Sequence, residues 1–223
     1  MTFDASRMLA FDLETTSANP KEARIVTSAL VRIDGRGVHK LAHGAAPGIE
    51  IPQEATNVHG ITTEKARSEG RPHEDVLKDT VEAIKAAWKD GLTLIVYNAA
   101  FDLTVLRSLT GDFTVTGPVY DPYVIDRVSD KWRKGKRTLG AVCEHYGVEL
   151  GNADGRTAEA RPAGRRPGKQ VRQHYPNLAQ MDENELMEFQ AVKWYEDRTA
   201  FKKYLEGKGR DASDVSTAWP LIG

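Results

Sequence analysis

A short apolar segment near the start of the sequence ends in acidic and hydroxyl side chains. Residues 8–13 are apolar apart from Asp12, and Glu14, Thr15 and Thr16 follow them directly. This pattern predicts a buried β-strand with polar side chains at its carboxyl end. Because alternate side chains leave the same face of a strand, Asp12 and Glu14 are expected to lie side by side. Open α/β sheets usually bind their ligands at this end of the strands.

The next segments predict a hairpin and an amphipathic helix. Residues 25–33 and 38–42 are rich in β-branched side chains, and the residues between them contain glycines that can form a turn. After Pro72, apolar residues recur at helical spacing until Gly91 stops the pattern. Strands therefore precede helices in this part of the chain.

From residue 92 onward the patterns alternate between strand and helix. Residues 92–97 predict a buried strand, and Asn98 is a candidate N-cap for the helix that follows. Another helix is predicted over residues 138–146. A capping box at Asp182 predicts a long helix that ends near Leu205. Together these segments predict an α/β fold.

Length and composition fit a single domain. A chain of 223 residues is shorter than the size of about 250 to 300 residues at which single cores stop growing. We expect one domain over residues 1–206 and a tail at 207–223. No apolar run reaches the length of about 20 residues that a membrane span needs, and no secretory signal opens the sequence. These features predict a cytoplasmic protein with no membrane contact.

The cysteine content and the net charge limit the chemistry. Cys143 is the only cysteine, so neither an intrachain disulfide nor a cysteine cluster for zinc can form. A metal would have to be held mainly by oxygen ligands. The formal net charge of −1 gives no overall attraction to nucleic acid, so a polyanion would have to bind to local basic patches.

Three acidic side chains are candidates for a metal site. Asp102 falls in the first turn of the helix after residues 92–97, and it reaches the same edge as Asp12 and Glu14 if the two strands are neighbours. Three carboxylates suit Mg²⁺ or Mn²⁺ better than zinc, and such ions can orient a water against a phosphodiester. The alternative is that Asp102 is only a helix-terminal charge and that the Asp-x-Glu pattern simply ends a strand.

Two motifs in the sequence resemble those of a known enzyme superfamily. Residues 11–16, Phe-Asp-Leu-Glu-Thr-Thr, and residues 98–102, Asn-Ala-Ala-Phe-Asp, resemble the first two motifs of the DEDD exonucleases, which have the DnaQ-like fold. Residues 57–62, 124–126 and 136–139 extend the resemblance over most of the chain. The resemblance implies a ribonuclease H-like α/β fold, with a mixed central sheet flanked by helices.

The resemblance also implies roles for individual residues. In this superfamily the carboxylates of the first two motifs bind two divalent cations, Mg²⁺ or Mn²⁺, which corresponds here to Asp12, Glu14 and Asp102. Contacts with the terminal nucleotide are implied for four further residues: Thr15, His59, Asn98 and Phe101. Structural alternatives remain for three of these, because the phenylalanine could belong to the core, the histidine could cap a turn and the asparagine could serve only the helix terminus.

The third motif of the superfamily is altered in this chain. Its histidine or tyrosine base and its metal-binding aspartate align best with Asp154 and Glu159, within residues 152–160. Glu159 keeps a carboxylate and is expected to be a further metal ligand. The ordinary pKa of aspartate is near 3.9, against about 6.5 for histidine, so Asp154 accepts a proton less readily and turnover is expected to fall by about 10² to 10⁴. Repulsion could instead raise the pKa of Asp154, or this residue could help to hold a cation.

The surroundings of the third motif are also unusual. Pro162 and Pro167 fall where a helix would continue, and an interior proline costs a helix about 3 kcal/mol. His145 and His174 could in principle supply the missing base. Basic residues that could guide a phosphate backbone, or form a solvated surface, occur at residues 131–137 and at Arg161, Arg165, Arg166, Lys169 and Arg172.

These features lead to three hypotheses about function. The first is a metal-dependent 3′→5′ exonuclease that hydrolyses phosphodiester bonds at the 3′ end of single-stranded DNA or RNA, with reduced turnover. The second is a catalytically silent nucleic-acid-binding module on the same fold. The third is a proofreading subunit that associates with a DNA polymerase, for which the helix after Asp182 would be a docking element.

Overall fold

A mixed sheet forms the centre of the computed structural model, which describes Asp4, residues 6–147 and residues 176–223. Its strands are β1 (Met8–Thr15), β2 (Ile25–Asp34), β3 (Gly37–Ala46), β4 (Arg71–Pro72), β5 (Thr93–Val96) and β6 (Val119–Tyr120). They lie in the order β4-β3-β2-β1-β5-β6, with β1 antiparallel to β2 and parallel to β5. The predicted hairpin is confirmed, because β2 pairs with β3 from Thr27 to Asp34.

Helices surround this sheet. The described residues form α1 (Gln53–His59), α2 (Thr63–Glu69), α3 (His73–Lys89), α4 (Ala99–Thr110), α5 (Pro122–Ser129), α6 (Leu139–His145) and α7 (Glu183–Gly207), with a short 3-10 helix at Leu178–Gln180. The predicted capping box of α7 is confirmed, since the side chains of Asp182 and Glu185 accept each other's backbone amides at 2.9 and 2.8 Å. None of the described helices combines the length and apolarity that a membrane crossing needs.

Strand β1 extends beyond its parallel neighbour at the carboxyl end. The last paired residues of β1 and β5 are Phe11 and Val96. After Val96 the chain leaves the sheet and enters α4, whereas β1 continues beside β2 as far as Thr15. Asp12 and Glu14 therefore lie on a part of β1 that is open on the β5 side, next to the first turn of α4.

Apolar side chains pack on both faces of the sheet. On one face, the odd-numbered apolar residues of β1 pack against α3 and α4. On the other face, Met8 and Ala10 pack with apolar residues of α5 and α7. Because alternate side chains share a face, Asp12 and Glu14 continue the row begun by Met8 and Ala10. The core thus ends where the acidic side chains begin.

The segment after α7 packs back onto the domain. Trp219 belongs to the main core, and its indole N–H donates a hydrogen bond to the buried carboxylate of Asp121 at 3.2 Å. The backbone amide of Ile222 donates to the hydroxyl of Thr104 at 2.9 Å. Since Thr104 lies in α4, these contacts join the C-terminal segment to the helix that carries Asp102.

Candidate active site

The carboxylate of Asp102 lies against the backbone of β1. The amide of Leu13, which stands between Asp12 and Glu14, donates a hydrogen bond to Asp102 Oδ1 at 3.0 Å, across 89 residues of sequence. Asp102 reaches this position because α4 follows β5 directly, so its first turn stands at the open end of β1. The fold thus brings the acidic residues of two distant segments to one edge of the sheet. We call Asp12, Glu14 and Asp102 the acidic edge.

Asp102 is a buried acid in an electrostatically unfavourable position, since only 4% of its surface is exposed. Burial raises the pKa of Asp102 well above its usual value, and repulsion by the carboxylates of Asp121 and Glu14 adds to the increase. The hydrogen bond from the Leu13 amide opposes it. A cation near Asp102 would reverse this shift, because a nearby opposite charge favours the ionised carboxylate.

The donor chemistry of the acidic edge fits a hard divalent cation, because Asp12, Glu14 and Asp102 all offer carboxylate oxygens. Among the described residues, however, no group of three or more Asp, Glu, His or Cys side chains is close enough together to hold a metal ion. The three residues are therefore neighbours along one edge, without forming a closed cluster. Glu159, the further ligand expected from the sequence, and Asp154 lie outside the described residues.

A second buried aspartate, Asp121, fixes the start of α4. Its Oδ1 accepts the amide of Asn98 at 2.9 Å, and its Oδ2 accepts the amide of Ala99 at 2.8 Å. The same carboxylate caps α5 by accepting backbone amides from the first turn of that helix. Burial raises the pKa of Asp121 to about 6, although the N–H donors lower it. Asp121 thereby positions the helix turn that carries Asp102.

The predicted position of Asn98 at the N-cap of α4 is confirmed, but its side chain makes no capping hydrogen bond. The carboxylate of Asp121 satisfies the helix terminus in its place. The backbone of Asn98 is left-handed, with φ of 63° and ψ of 51°, a conformation that asparagine adopts more readily than most residues. Its exposed side chain lines a groove instead.

This groove has a volume of about 650 Å³ and lies between the end of β1, α1 and the start of α4. Its lining includes Glu14 and all four residues expected to contact a nucleotide: Thr15, His59, Asn98 and Phe101. The other lining residues are Leu13, Thr16, Ser17, Ala18, Pro52, Glu54, Ala55 and Val58. Ligand pockets typically measure about 300 to 1,000 Å³, so the groove is large enough for one nucleotide.

His59 closes the end of α1 and keeps one ring nitrogen for another partner. Its Nδ1 accepts the amide of Ile61 at 3.1 Å, which agrees with the turn-capping alternative. Nε2 is shielded from solvent and has no hydrogen-bond partner among the described residues. Burial lowers the pKa of His59. The nearby backbone of Thr15 partly opposes this decrease in pKa. Because Nδ1 accepts a hydrogen bond, the ring proton lies on Nε2, which can donate to another partner.

Phe101 and Thr15 each combine a structural contact with a place in the groove. Phe101 is half-buried and packs against the main core while it also lines the groove, so both interpretations of this residue are compatible with the structure. The Thr15 hydroxyl donates to the carbonyl of Ser17 at 2.9 Å, which leaves the oxygen able to accept a hydrogen bond. Their nucleotide contacts remain predictions.

Two arginines of the basic cluster at residues 131–137 are turned inward. Arg133 and Arg137 donate to Oδ2 of Asp126 at 2.6 and 2.5 Å, and the hydroxyl of Tyr146 donates to Oδ1 at 3.0 Å. Asp126 is completely buried. These two arginines therefore neutralise a buried acid and do not guide a phosphate backbone, which leaves that role to the lysines of the cluster. The second basic cluster, after residue 160, lies outside the described residues.

Asp121 is the site residue that the sequence analysis did not single out. Its signal is local, because Asp121 followed by Pro122 forms an N-cap with proline in the first helical turn. That pattern could have indicated the start of α5. It could not have indicated the hydrogen bonds to Asn98 and Ala99, because these join segments more than 20 residues apart in the sequence.

Comparison with protein families gives one assignment. The family model RNase_T, described as exonuclease, matches residues 9–152 of this chain. This match includes both motifs of the acidic edge and the residues of the groove. A comparison with curated protein sequences finds no match.

Several solved structures share this architecture. Exonuclease I from Methylocaldum szegediense is 17% identical, with a TM-score of 0.63 over 85% of this chain and 45% of that one. E. coli exonuclease I with a dA16 oligonucleotide is 18% identical, with a TM-score of 0.59 over 78% of this chain and 42% of that one. The zinc-bound complex of E. coli exonuclease I with single-stranded DNA is 19% identical, with a TM-score of 0.61 over 78% and 42%.

These similarities establish the fold. The chain spans less than half the length of the exonuclease I structures that it matches. At 17 to 19% identity the likeness concerns the arrangement of the chain and not its activity. The expected ribonuclease H-like α/β fold, with a mixed sheet flanked by helices, is confirmed.

Proposed function

Because this chain belongs to the RNase_T exonuclease family, within the DnaQ-like superfamily, we propose that it hydrolyses phosphodiester bonds at the 3′ end of single-stranded DNA or RNA. The observation that carries the proposal is the hydrogen bond from the Leu13 amide to Asp102, which joins the first two motifs into one acidic edge. The adjoining groove supports it, because its volume of about 650 Å³ is large enough for one nucleotide and its lining includes Glu14.

We further propose that Asp12, Glu14, Asp102 and Glu159 hold divalent cations, Mg²⁺ or Mn²⁺. Such cations would activate a water and stabilise the charge on the departing oxygen. The electrostatics of Asp102 support this assignment, because neighbouring acids repel its carboxylate and burial removes it from water. Oxygen ligands of this kind are those that hard divalent cations prefer.

The side chains of the groove would bind and orient the terminal nucleotide. Phe101 would stack on the base, since an aromatic face accepts any base. His59 would donate from Nε2, and the exposed amide of Asn98 and the hydroxyl of Thr15 would add polar contacts. In this proposal Asp154 takes the place of the general base, and its low intrinsic pKa makes turnover slow.

A nuclease assay tests the proposal. A 5′-labelled single strand is incubated with Mn²⁺ and either the wild type, Asp12→Ala or Asp112→Asn. Asp112 is an exposed acid at the opposite end of α4, so its variant serves as a matched control. We expect the wild type and Asp112→Asn to shorten the strand from its 3′ end. If Asp12→Ala shortens it equally well, the chain is not the enzyme proposed.

A catalytically silent nucleic-acid-binding module is the second candidate. It is favoured by the altered third motif at Asp154 and Glu159, and by the lack of a closed metal cluster among the described residues. This candidate predicts salt-dependent binding of a single strand that is equally strong in chelator and gives no product. Association with a DNA polymerase, a cytoplasmic location and the division into a domain at 1–206 and a tail at 207–223 remain predictions.

A further inference from the structure

A lysine-rich loop after α5 exposes a tryptophan. We call residues 130–138 the tryptophan loop. Trp132 is 86% exposed, which is unusual because the large apolar surface of tryptophan is normally covered. Lys131, Lys134 and Lys136 are exposed on the same loop, and Lys131 Nζ lies 5.5 Å from the centre of the Trp132 ring. The loop therefore presents an aromatic face together with positive charge.

The arginines of the loop hold it against the domain. Arg133 and Arg137 both bind the buried carboxylate of Asp126, and Arg137 also donates to the carbonyl of Asp130 at 2.5 Å. Their side chains are only 12% and 11% exposed. In the part of the chain that the structure describes, none of the three lysines forms an ion pair. The two buried arginines thus anchor the loop, while Trp132 and the three lysines remain exposed.

The end of the tryptophan loop is joined to the residue that precedes the groove residue Asn98. The hydroxyl of Tyr97 donates a hydrogen bond to the carbonyl of Arg137 at the end of the loop. Tyr97 directly precedes Asn98, whose side chain lines the groove. The base of the loop is therefore attached at the carboxyl end of β5, the same edge of the sheet on which Asp102 approaches β1.

We propose that Trp132, Lys131, Lys134 and Lys136 form a second binding surface for single-stranded nucleic acid, which contacts nucleotides upstream of the 3′-terminal one. This inference rests on the proposed function for the direction of the strand. An indole face stacks on a base of any sequence, and lysines neutralise phosphates of the backbone. An acidic protein would pair with the lysines, but it would not need an exposed stacking face beside them.

Binding measured by fluorescence anisotropy in EDTA tests this surface separately from hydrolysis. Trp132→Ala should bind a strand of about 12 nucleotides about five- to 150-fold more weakly than the wild type, the range for loss of one stacked base. Trp132→Phe should recover most of the affinity, because it keeps an aromatic face. Tyr195→Ala, which removes a 57% exposed aromatic residue of α7, should bind as the wild type does.

A second measurement tests the charges. The slope of log affinity against log salt concentration changes by about 0.7 for each phosphate that is neutralised on a single strand. The triple variant Lys131→Ala, Lys134→Ala and Lys136→Ala should therefore have a slope that is shallower by about 2. Lys85→Ala, at an exposed position of α3, should leave the slope unchanged.

A nucleoside 5′-monophosphate separates the loop from the groove. It is expected to occupy the groove alone, so the wild type and Trp132→Ala should bind it equally. The inference is overturned if Trp132→Ala binds the long strand as tightly as the wild type, if the wild type binds no strand, or if Trp132→Ala loses the same affinity for the mononucleotide. Hydrolysis is decided independently by the Mn²⁺ assay with Asp12→Ala, so failure of one proposal does not imply failure of the other.

Discussion

Asp126 and Asp102 are both buried, but their negative charges meet different surroundings. Asp126 lies between the guanidinium groups of Arg133 and Arg137 and also accepts a hydrogen bond from the hydroxyl of Tyr146. Two cations and a neutral donor thus balance one carboxylate. The charge of Asp126 is compensated within the fold, which makes it a structural residue.

Among the described residues, the backbone amide of Leu13 donates the one hydrogen bond that the Asp102 carboxylate accepts, while the carboxylates of Asp121 and Glu14 repel it. No ion pair reaches Asp102 within the residues that the structure describes. A buried charge is tolerated when it is paired, and a buried acid without a compensating cation at the edge of a groove is a candidate for ligand binding. The contrast between Asp102 and Asp126 therefore supports the proposal that the acidic edge, and not Asp126, binds a cation.

The largest expected effect concerns the compensated acid. Asp126→Asn should lower the free energy of unfolding by about 3 to 5 kcal/mol, because removing one partner of a buried ion pair leaves the other charges unpaired. Urea denaturation measures this, with the exposed Asp112→Asn as control. A change below about 1 kcal/mol would mean that the arginines do not depend on Asp126, and the contrast would be lost.

Asp121 lies between these two cases, because its buried carboxylate accepts hydrogen bonds from N–H donors but forms no ion pair with a described residue. Burial raises its pKa from 3.8 to about 6, so the folded state favours the neutral acid. The corresponding stabilisation is complete below the unfolded pKa and is lost as the pH rises through about 6. This shift of about 2 units corresponds to about 3 kcal/mol.

Asp121→Asn tests this pH dependence, since asparagine does not ionise. The unfolding free energy of the wild type, taken relative to that of Asp121→Asn, should fall by about 2 to 3 kcal/mol between about pH 4 and about pH 7. Urea denaturation of both proteins at the two pH values measures the difference and cancels the titrating groups that do not interact with Asp121. A difference that does not change with pH contradicts the assignment of the raised pKa to Asp121.

Replacement of Asp102 should affect activity and not stability, in contrast to replacement of Asp126. Asp102→Asn should reduce nuclease activity by about a hundredfold, because loss even of the outer partners of a metal ligand costs about 10- to 100-fold. Its unfolding free energy should stay equal or increase, since the amide oxygen of asparagine still accepts the Leu13 amide and the repulsion disappears. Retained activity together with lower stability would assign Asp102 to the scaffold.

The smallest expected effect concerns the C-terminal segment. Trp219→Phe removes the indole N–H that donates to Asp121, so the free energy of unfolding should fall by about 1 kcal/mol. The pKa of Asp121 should rise further, because this hydrogen bond lowers it. Trp132→Phe is the matched control, and its exposed ring should leave stability unchanged. Urea denaturation measures these free energies. Equal values for the wild type, Trp219→Phe and Trp132→Phe would show that the C-terminal segment does not stabilise the domain.

Local patterns in the sequence were sufficient for much of the fold. The strand at residues 8–13, the hairpin and the capping box at Asp182 depend on neighbouring residues only, and the structure confirms them. The proximity of the first two motifs could not be predicted from neighbouring residues. It depends on the parallel pairing of β1 with β5, which leaves no periodic signal and which the sequence analysis gave only as a condition. Only the family resemblance implied that the carboxylates of the two motifs meet.

Local sequence patterns could not predict the partners of the buried charged residues. Arg133 and Arg137 stand among lysines in the sequence, and only the position of Asp126 behind the loop turns them inward. Residue type offered a partial signal, because the planar guanidinium group suits a buried carboxylate better than an ammonium group does. Asn98 occupies the predicted N-cap position without capping by its side chain for the same reason, because Asp121, from a separate segment, accepts the backbone amides of the helix terminus.

Calorimetric titration with Mn²⁺ tests most directly whether the acidic edge holds a divalent cation. The wild type, Glu14→Gln and the exposed control Asp112→Asn are compared in the absence of nucleic acid. We predict saturable binding by the wild type and by Asp112→Asn, and binding at least about tenfold weaker by Glu14→Gln. Equal binding by all three proteins, or no binding by the wild type, would contradict the account.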